Sequence, residues 1–385
     1  MSTYTHEDPE IQPQAGQASE PAADSQVFSY WVPIDPVDLR TLAESLRSRD
    51  VFTPTFVAPE VDRYDPVVYR DQAARFETST ALLVDRNIVS RWIDMVRGAN
   101  PTADHRLAAA VLAFVQCAEI DVEPNIALYE LAFAQGQEAA VDELLAFRLA
   151  DQVHPGYWAE IALDRADAIG ELPDGVPIRE TDLTIDFTMK LRRWRRNYIL
   201  ALKIAELELR GGNSVDRMLE MLSWMYKDFL LGGPGLALAA HYLAPNSSRK
   251  RLLKGLKSPD RERAIAGIRN AAWDLTLVSE WAIRVEKQPS EARLVLLASF
   301  DQGVHRLARS VVDVEGTSIE IGERLRSNLI SLWGDEAGTR LADAVSDCYA
   351  SLENPDRQVN REPPTDFIER CIADGEAGVR AWRPD

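Results

Sequence analysis

The stretch Thr80-Ala81-Leu82-Leu83-Val84-Asp85-Arg86-Asn87-Ile88-Val89 is a short apolar run that stops at an aspartate, passes one basic residue and an asparagine, and turns apolar again. Thr80 to Val84 reads as a buried strand. From Ile88 to Arg97 the chain reads as a helix, with Ile88, Trp92 and Met95 or Val96 on one face and Gly98 as its stop. A second run of the same character, Arg293 to Ser299 (RLVLLAS), leads through Phe300 to Asp301. In open parallel α/β sheets the ligand site lies beyond the carboxyl ends of the strands, so two aspartates at two such ends can face one crevice. The alternative is that each merely caps the helix that follows it, a common use of Asp.

The bulk properties bound the remaining choices. The chain has 385 residues, 46% of them hydrophobic, which is enough for a large core and excludes global disorder. A formal net charge of −18 argues against a simple nucleic-acid coat protein. It leaves room for a nuclease, in which acidic metal ligands and a local basic patch coexist. Cys117, Cys348 and Cys371 are far apart and show no zinc spacing, which suits a reducing cytoplasm. Neither a signal peptide nor an apolar run near the ~20 residues of a membrane span is present, so the expectation is a cytoplasmic protein with no membrane partner.

Residues 1–27 are polar and Pro-rich and read as a disordered tail, with an N-terminal extension over 28–77. Within that extension, Asp35-Pro36 opens a helix to Arg49. Helices are expected over Asp104–Glu119, Asn125–Phe133 and Glu138–Ala150, with a short extended piece at Ile120–Pro124. A mainly helical stretch follows, in which Phe187–Arg210 is the clearest element. Gly232-Gly233-Pro234-Gly235 lacks the lysine and Ser/Thr of a phosphate loop and reads as a turn. Arg261–Val285 reads as a long helix. Further helices are expected around Ile319–Trp333, Thr339–Leu352 and Phe367–Trp382.

Two more acids stand out against their surroundings. Glu130 in NIALYELA and Asp274 in NAAWDLTLVSEW each interrupt an apolar helical segment. A carboxylate on an apolar face needs a partner or a cation, unless it faces solvent. The order strand-Asp-x-Asn, helix-Glu, helix-Asp, strand-Ser-x-Asp resembles the PIN domain, a metal-dependent ribonuclease fold. ALLVDRN matches its first motif with Arg86 at the usual threonine, ALYEL matches the second at Glu130, and LLASFDQ matches the last with Ser299 for threonine. The resemblance covers roughly 78–150 and 262–312. Unlike a minimal PIN domain, this chain separates Glu130 from Asp274 by a long helical insertion, and Asp94, Asp121, Glu123 and Glu280 are rival acids.

The resemblance implies an α/β fold: a PIN-like core with a short central parallel sheet flanked by helices. Its first part would be 78–150 and its second 261–312, with a basic helical insertion over 151–260 and a helical C-terminal region over 313–385. It implies Asp85, Glu130, Asp274 and Asp301 as catalytic acids. Asp85, Asp274 and Asp301 would hold Mg²⁺ or Mn²⁺, supported by Asn87 and Ser299, for hydrolysis of phosphodiester bonds in single-stranded RNA. Local turn hydrogen bonds are the other reading of Asn87 and Ser299.

Charge segregation bears on the substrate. Lys190 to Arg263 carries sixteen basic residues against seven acids, +9 inside a chain of −18. Arg192, Arg193, Arg195 and Arg196, interleaved with Trp194 and Tyr198, and Arg249, Lys250, Arg251 and Lys254 form two clusters suited to nucleic-acid phosphates. The same face can instead be solvated or pair with the chain's own acids, and the aromatics can be core. The rival function is an inactive PIN-like or helical protein that binds nucleic acid or protein. An unrelated helical scaffold would lack parallel pairing between the strands at Leu82 and Leu296. Oligomeric state and any inhibitory partner stay open.

Overall fold

Leu82 lies directly beside Leu296, and Leu83 beside Leu297, in a parallel pair that runs from Ser79↔Arg293 to Val84↔Ala298. The two apolar runs thus become strands β2 (Ser79–Val84) and β4 (Arg293–Ala298) at the centre of a four-stranded sheet of order β1-β4-β2-β3. β3 (Asp121–Glu123) adds in parallel to β2. β1 (Phe52–Thr53) is a two-residue antiparallel edge on β4. The sheet is therefore mixed, parallel in its two pairings β4–β2 and β2–β3 and antiparallel at the β1 edge. Of the described residues, 69% are helical.

The computed structural model describes residues 31–54, 62–175, 184–245, 253–311, 318–352 and 365–383. The expected disordered tail, 1–27, lies outside the described residues, as do Arg249, Lys250 and Arg251. The fold below belongs to Val32–Asp385.

Side-chain alternation on β2 and β4 splits the core in two, because successive residues of a strand point to opposite faces. Leu82, Val84, Leu296 and Ala298 face a first core. Around it pack α1 (Pro36–Ser48), α2 (Pro66–Phe76), α3 (Arg86–Val96), α4 (Ala103–Cys117), α5 (Asn125–Gln135), α6 (Gln137–Gln152) and α7 (Pro155–Ala162). Leu83, Val295 and Leu297 face the second core. It is built from α8 (Arg192–Arg210), α9 (Ser214–Lys227), α10 (Gly233–Leu243), α11 (Arg261–Glu291), α12 (Gln302–Val311), α13 (Ser318–Trp333), α14 (Asp335–Ala350) and α15 (Phe367–Ala381). Each fully buried leucine on these faces contributes about 1.5–3 kcal/mol.

Local chemistry sets the helix ends. Asp35 caps α1 by accepting from Val37 N at 2.7 Å, with Pro36 in the first turn. α8 begins at Arg192, later than the expected Phe187. Asp186 turns the chain by accepting from Thr188 N and Oγ1, and Phe187 N donates to Gln137 Oε1 at 2.8 Å. Phe187 belongs to the first core, so the chain crosses between layers before the helix starts. α11 runs six residues past the expected Val285, to Glu291, and leads straight into β4 through Ala292 in the left-handed region. Among the described residues no helix is long and apolar enough to cross a membrane.

Candidate active site

The register of β2 and β4 brings Asp85 and Ser299 side by side, each one residue beyond the pair Val84↔Ala298. Asp85 N donates to Ala298 O at 3.0 Å, which continues the ladder to the strand tips. Asp85 stands at the N-cap position of α3 but makes no side-chain cap hydrogen bond. Its Oδ2 instead accepts from Ser299 Oγ at 2.5 Å and from Asn87 Nδ2 at 2.7 Å. Asn87 Oδ1 in turn accepts from Phe300 N at 3.3 Å, so Asn87 and Ser299 tie the two strand ends together. Ser299 Oγ also accepts from Asp301 N at 2.9 Å. Asp301 does serve the following helix: its Oδ1 accepts from Gly303 N at 2.7 Å.

Glu130 on α5 and Asp274 on α11 complete the group. Both are half-buried, and neither has an ion-pair partner among the described residues. Asp274 has only Asn270 Nδ2, 3.4 Å from its Oδ2. The four carboxylates are close enough to act on one another. Burial, and then the charge of Asp301, push the Asp85 carboxyl up, against the Ser299 hydrogen bond. Burial and the charge of Asp85 push Glu130 up to about 8, against Arg86 and Lys254. Asp274 is held far above the usual carboxylate range by burial and by Asp85, Glu130 and Asp301, with Lys254 opposing.

The rival acids are engaged elsewhere. Glu280 pairs with Arg193 and Arg284, Glu123 with Arg284 and Arg293, and Asp121 with Arg293. Asp94 lies beside Arg91 and His105. Asp274, rather than any of these, faces the other three acids.

Among the described residues no group of three His, Cys, Asp or Glu side chains is placed to hold one ion. Asp85 Oδ2 is turned to Ser299 and Asn87, and Asp301 Oδ1 to Gly303, so these oxygens are satisfied locally rather than drawn to one point. The donor set itself suits a hard divalent cation: carboxylate oxygens, desolvated and mutually repelling, with Glu130 and Asp274 unpaired.

The predicted basic residues divide. Lys254 is exposed and acts on both Glu130 and Asp274, which puts it beside the acid group. Arg193 and Arg195 form ion pairs with Glu280 and Glu369 of the same chain. Arg192 and Arg196 have no acidic partner among the described residues and line a cleft that none of the four acids lines. Trp194 and Tyr198 are buried and stacked on each other at 5.0 Å, part of the core rather than a platform for bases.

His305 and Thr53 support the site from outside the four acids. His305, fully buried, joins Thr53 Oγ1 at 2.6 Å to Ser299 O at 2.8 Å and so holds the Ser299 turn against β1. The position of His305, one turn after Asp301, was the available signal. Thr53 lies on a two-residue strand too short to announce itself. Comparison of the chain with family models, curated proteins and solved structures returns no match.

Proposed function

We propose that the protein is a metal-dependent endoribonuclease with a PIN-like core. The observation that carries this reading is the meeting of Asp85, Glu130, Asp274 and Asp301, from β2, α5, α11 and the end of β4: Asp301 acts on Asp85, Asp85 on Glu130, and all three on Asp274. Parallel pairing of the two central strands beneath it supports the same reading, since crevices at such carboxyl ends are where α/β folds bind ligands.

Asp85, Asp274 and Asp301 would hold Mg²⁺ or Mn²⁺, which when bound supplies Lewis-acid stabilisation of charge on the phosphodiester. Asn87 and Ser299 orient Asp85. Glu130, with its raised pKa of about 8, can hold or give up a proton near neutral pH. Lys254, exposed beside the acids, can contact a substrate phosphate. Single-stranded RNA is the proposed substrate. The reducing cytoplasm is the proposed compartment, in keeping with three free cysteines.

A second reading, an inactive nucleic-acid- or protein-binding module, is favoured by the absence of a ready three-ligand group among the described residues. The two separate in single-turnover cleavage of labelled single-stranded RNA with Mn²⁺, Mg²⁺ or EDTA. Cation-dependent cutting that falls at least ~100-fold in Asp85→Asn and in Asp301→Asn, with folding intact, is the expected result. Cutting that survives both substitutions removes the site assignment. No cutting by any form leaves the binding module ahead.

A further inference from the structure

The first turns of α8 and the start of α10 enclose a cleft of about 740 Å³, roofed by α11. Arg192, Arg193 and Arg196 all line it. Arg193 is paired with Glu280, whereas Arg192 and Arg196 have no acidic partner among the described residues. Arg196 is half-buried, and its guanidinium is pushed down by burial and by the charges of Arg192 and Arg193. Arginines gathered in a concavity, two of them without an acidic partner among the described residues, favour an anion there.

The opposite side of the cleft is Gly232-Gly233-Pro234-Gly235. This is more than a turn, because α10 starts at Gly233 and its N-cap, Gly232, contributes no side chain. The N–H groups of Gly233 and Gly235 have no intrahelical partner, and Pro234 has none to satisfy. A Cβ on Gly232 would meet nothing within 4 Å, and one on Gly233 would meet only Val311 Cγ1 at 3.5 Å, so the backbone is open to approach at these two positions, whereas Gly235 packs closely against Leu200. Leu230 and Ile283, both half-buried, form an apolar wall backed by the buried Phe229, and the acid of the lining, Glu286, is exposed.

We propose that this cleft binds a nucleoside phosphate, its phosphate groups held by Arg192, Arg196 and the start of α10 and its base laid on the half-buried side chains of Leu230 and Ile283. Paired guanidinium forks match phosphate oxygens, and a helix start adds N–H donors of the right sign. The arginines supply the positive charge that a phosphate-loop lysine would otherwise bring. The volume falls within the roughly 300–1,000 Å³ of small-molecule sites. A terminal phosphate carries about −1.5 to −2 charges at pH 7, which suits the two guanidiniums of Arg192 and Arg196 better than the single charge of a backbone phosphodiester. None of the four acids lines the cleft, so the ligand is bound there without being cut, and the inference stands apart from the nuclease reading.

Calorimetric titration of the full chain in EDTA, where no cation supports cleavage, tests this. The probes are ATP, AMP, inorganic phosphate and a single-stranded RNA oligomer without a terminal phosphate. Saturable one-to-one binding of ATP is expected, weakened at least tenfold in the Arg192→Ala/Arg196→Ala double variant. Gly232→Asp is the second variant. It places a favoured capping residue at an uncrowded position, so its thermal midpoint should hold while its negative charge abolishes ATP binding. No saturable ATP binding at millimolar concentration, or ATP binding unchanged in both variants, overturns the proposal. So does binding of the RNA oligomer, lost in the double variant, with none of the mononucleotides, because the cleft would then belong to a polynucleotide track.

Discussion

At the first turn of α3, Asp85 occupies the position from which an aspartate ordinarily caps a helix, yet its Oδ2 is committed to Ser299 and Asn87. Capping is thus secondary for Asp85, on which the first-turn N–H groups of Asn87 and Arg86 act less than Ser299 does, and it holds in part for Asp301, whose Oδ1 takes a first-turn N–H. The consequence at this scale is electrostatic. Glu130 has its pKa raised from 4.5 to about 8, with burial the largest cause. Between those values the folded chain keeps a proton that the unfolded chain has released, so stability falls as pH rises through that window. Glu130→Gln removes the loss. In EDTA its thermal midpoint should exceed that of the wild type at pH 8.5, by on the order of a few kcal/mol in stability, and converge with it at pH 5. A midpoint difference that does not change with pH would show that neither burial nor its neighbours raise the Glu130 carboxyl.

Among the elements, α11 has the most to hold in place: it carries Asp274, leads into β4 and packs along α8. Gly267 lets the Lys254 segment lie against it. A Cβ at that position would stand 1.8 Å from Lys254 O, and backbone cannot yield as a side-chain tip can. Gly267→Ala should cost about 1–3 kcal/mol by overpacking and move Lys254 away from the acids. Lys254→Ala removes the charge without the clash. Both variants should steepen the fall of thermal midpoint with pH, and only Gly267→Ala should also lower the midpoint at pH 5. A Gly267→Ala protein as stable as the wild type would mean that the contact is not tight.

Over the whole chain, the helices between β3 and β4 are not an appendage. Leu83, Val295 and Leu297 of the sheet share one core with Leu202 of α8, Met221 of α9 and Leu238 of α10. Leu82 and Leu296, on the opposite face, share the other core with α1 to α7. Two cores that meet through the same two strands should unfold together. Scanning calorimetry should give a single transition whose calorimetric and van't Hoff enthalpies agree. Two resolved transitions would mean that α8–α10 fold independently. By the same argument, deletion of 151–260 should expose the Leu83 and Leu297 face and give an aggregating product rather than a smaller working core.

Some of this is written in the order of residues. Short continuous apolar runs that stop at polar residues marked β2 and β4, and period-3.6 runs marked the helices, because backbone geometry ties burial to spacing within one element. The aspartates at the strand tips were visible for the same reason. What lies across the gap between elements was not. The Leu82↔Leu296 register, the choice of Asp274 over Glu280, and the burial of Trp194 depend on contacts between residues far apart in the chain. So does the division of the arginines. Arg193 and Arg195 are neighbours in a run of like residues, yet Glu280 and Glu369 claim them while Arg192 and Arg196 are left facing a cleft. Coulomb energy depends on distance in space, and only the packing of α8 against α11 and α15 sets that distance.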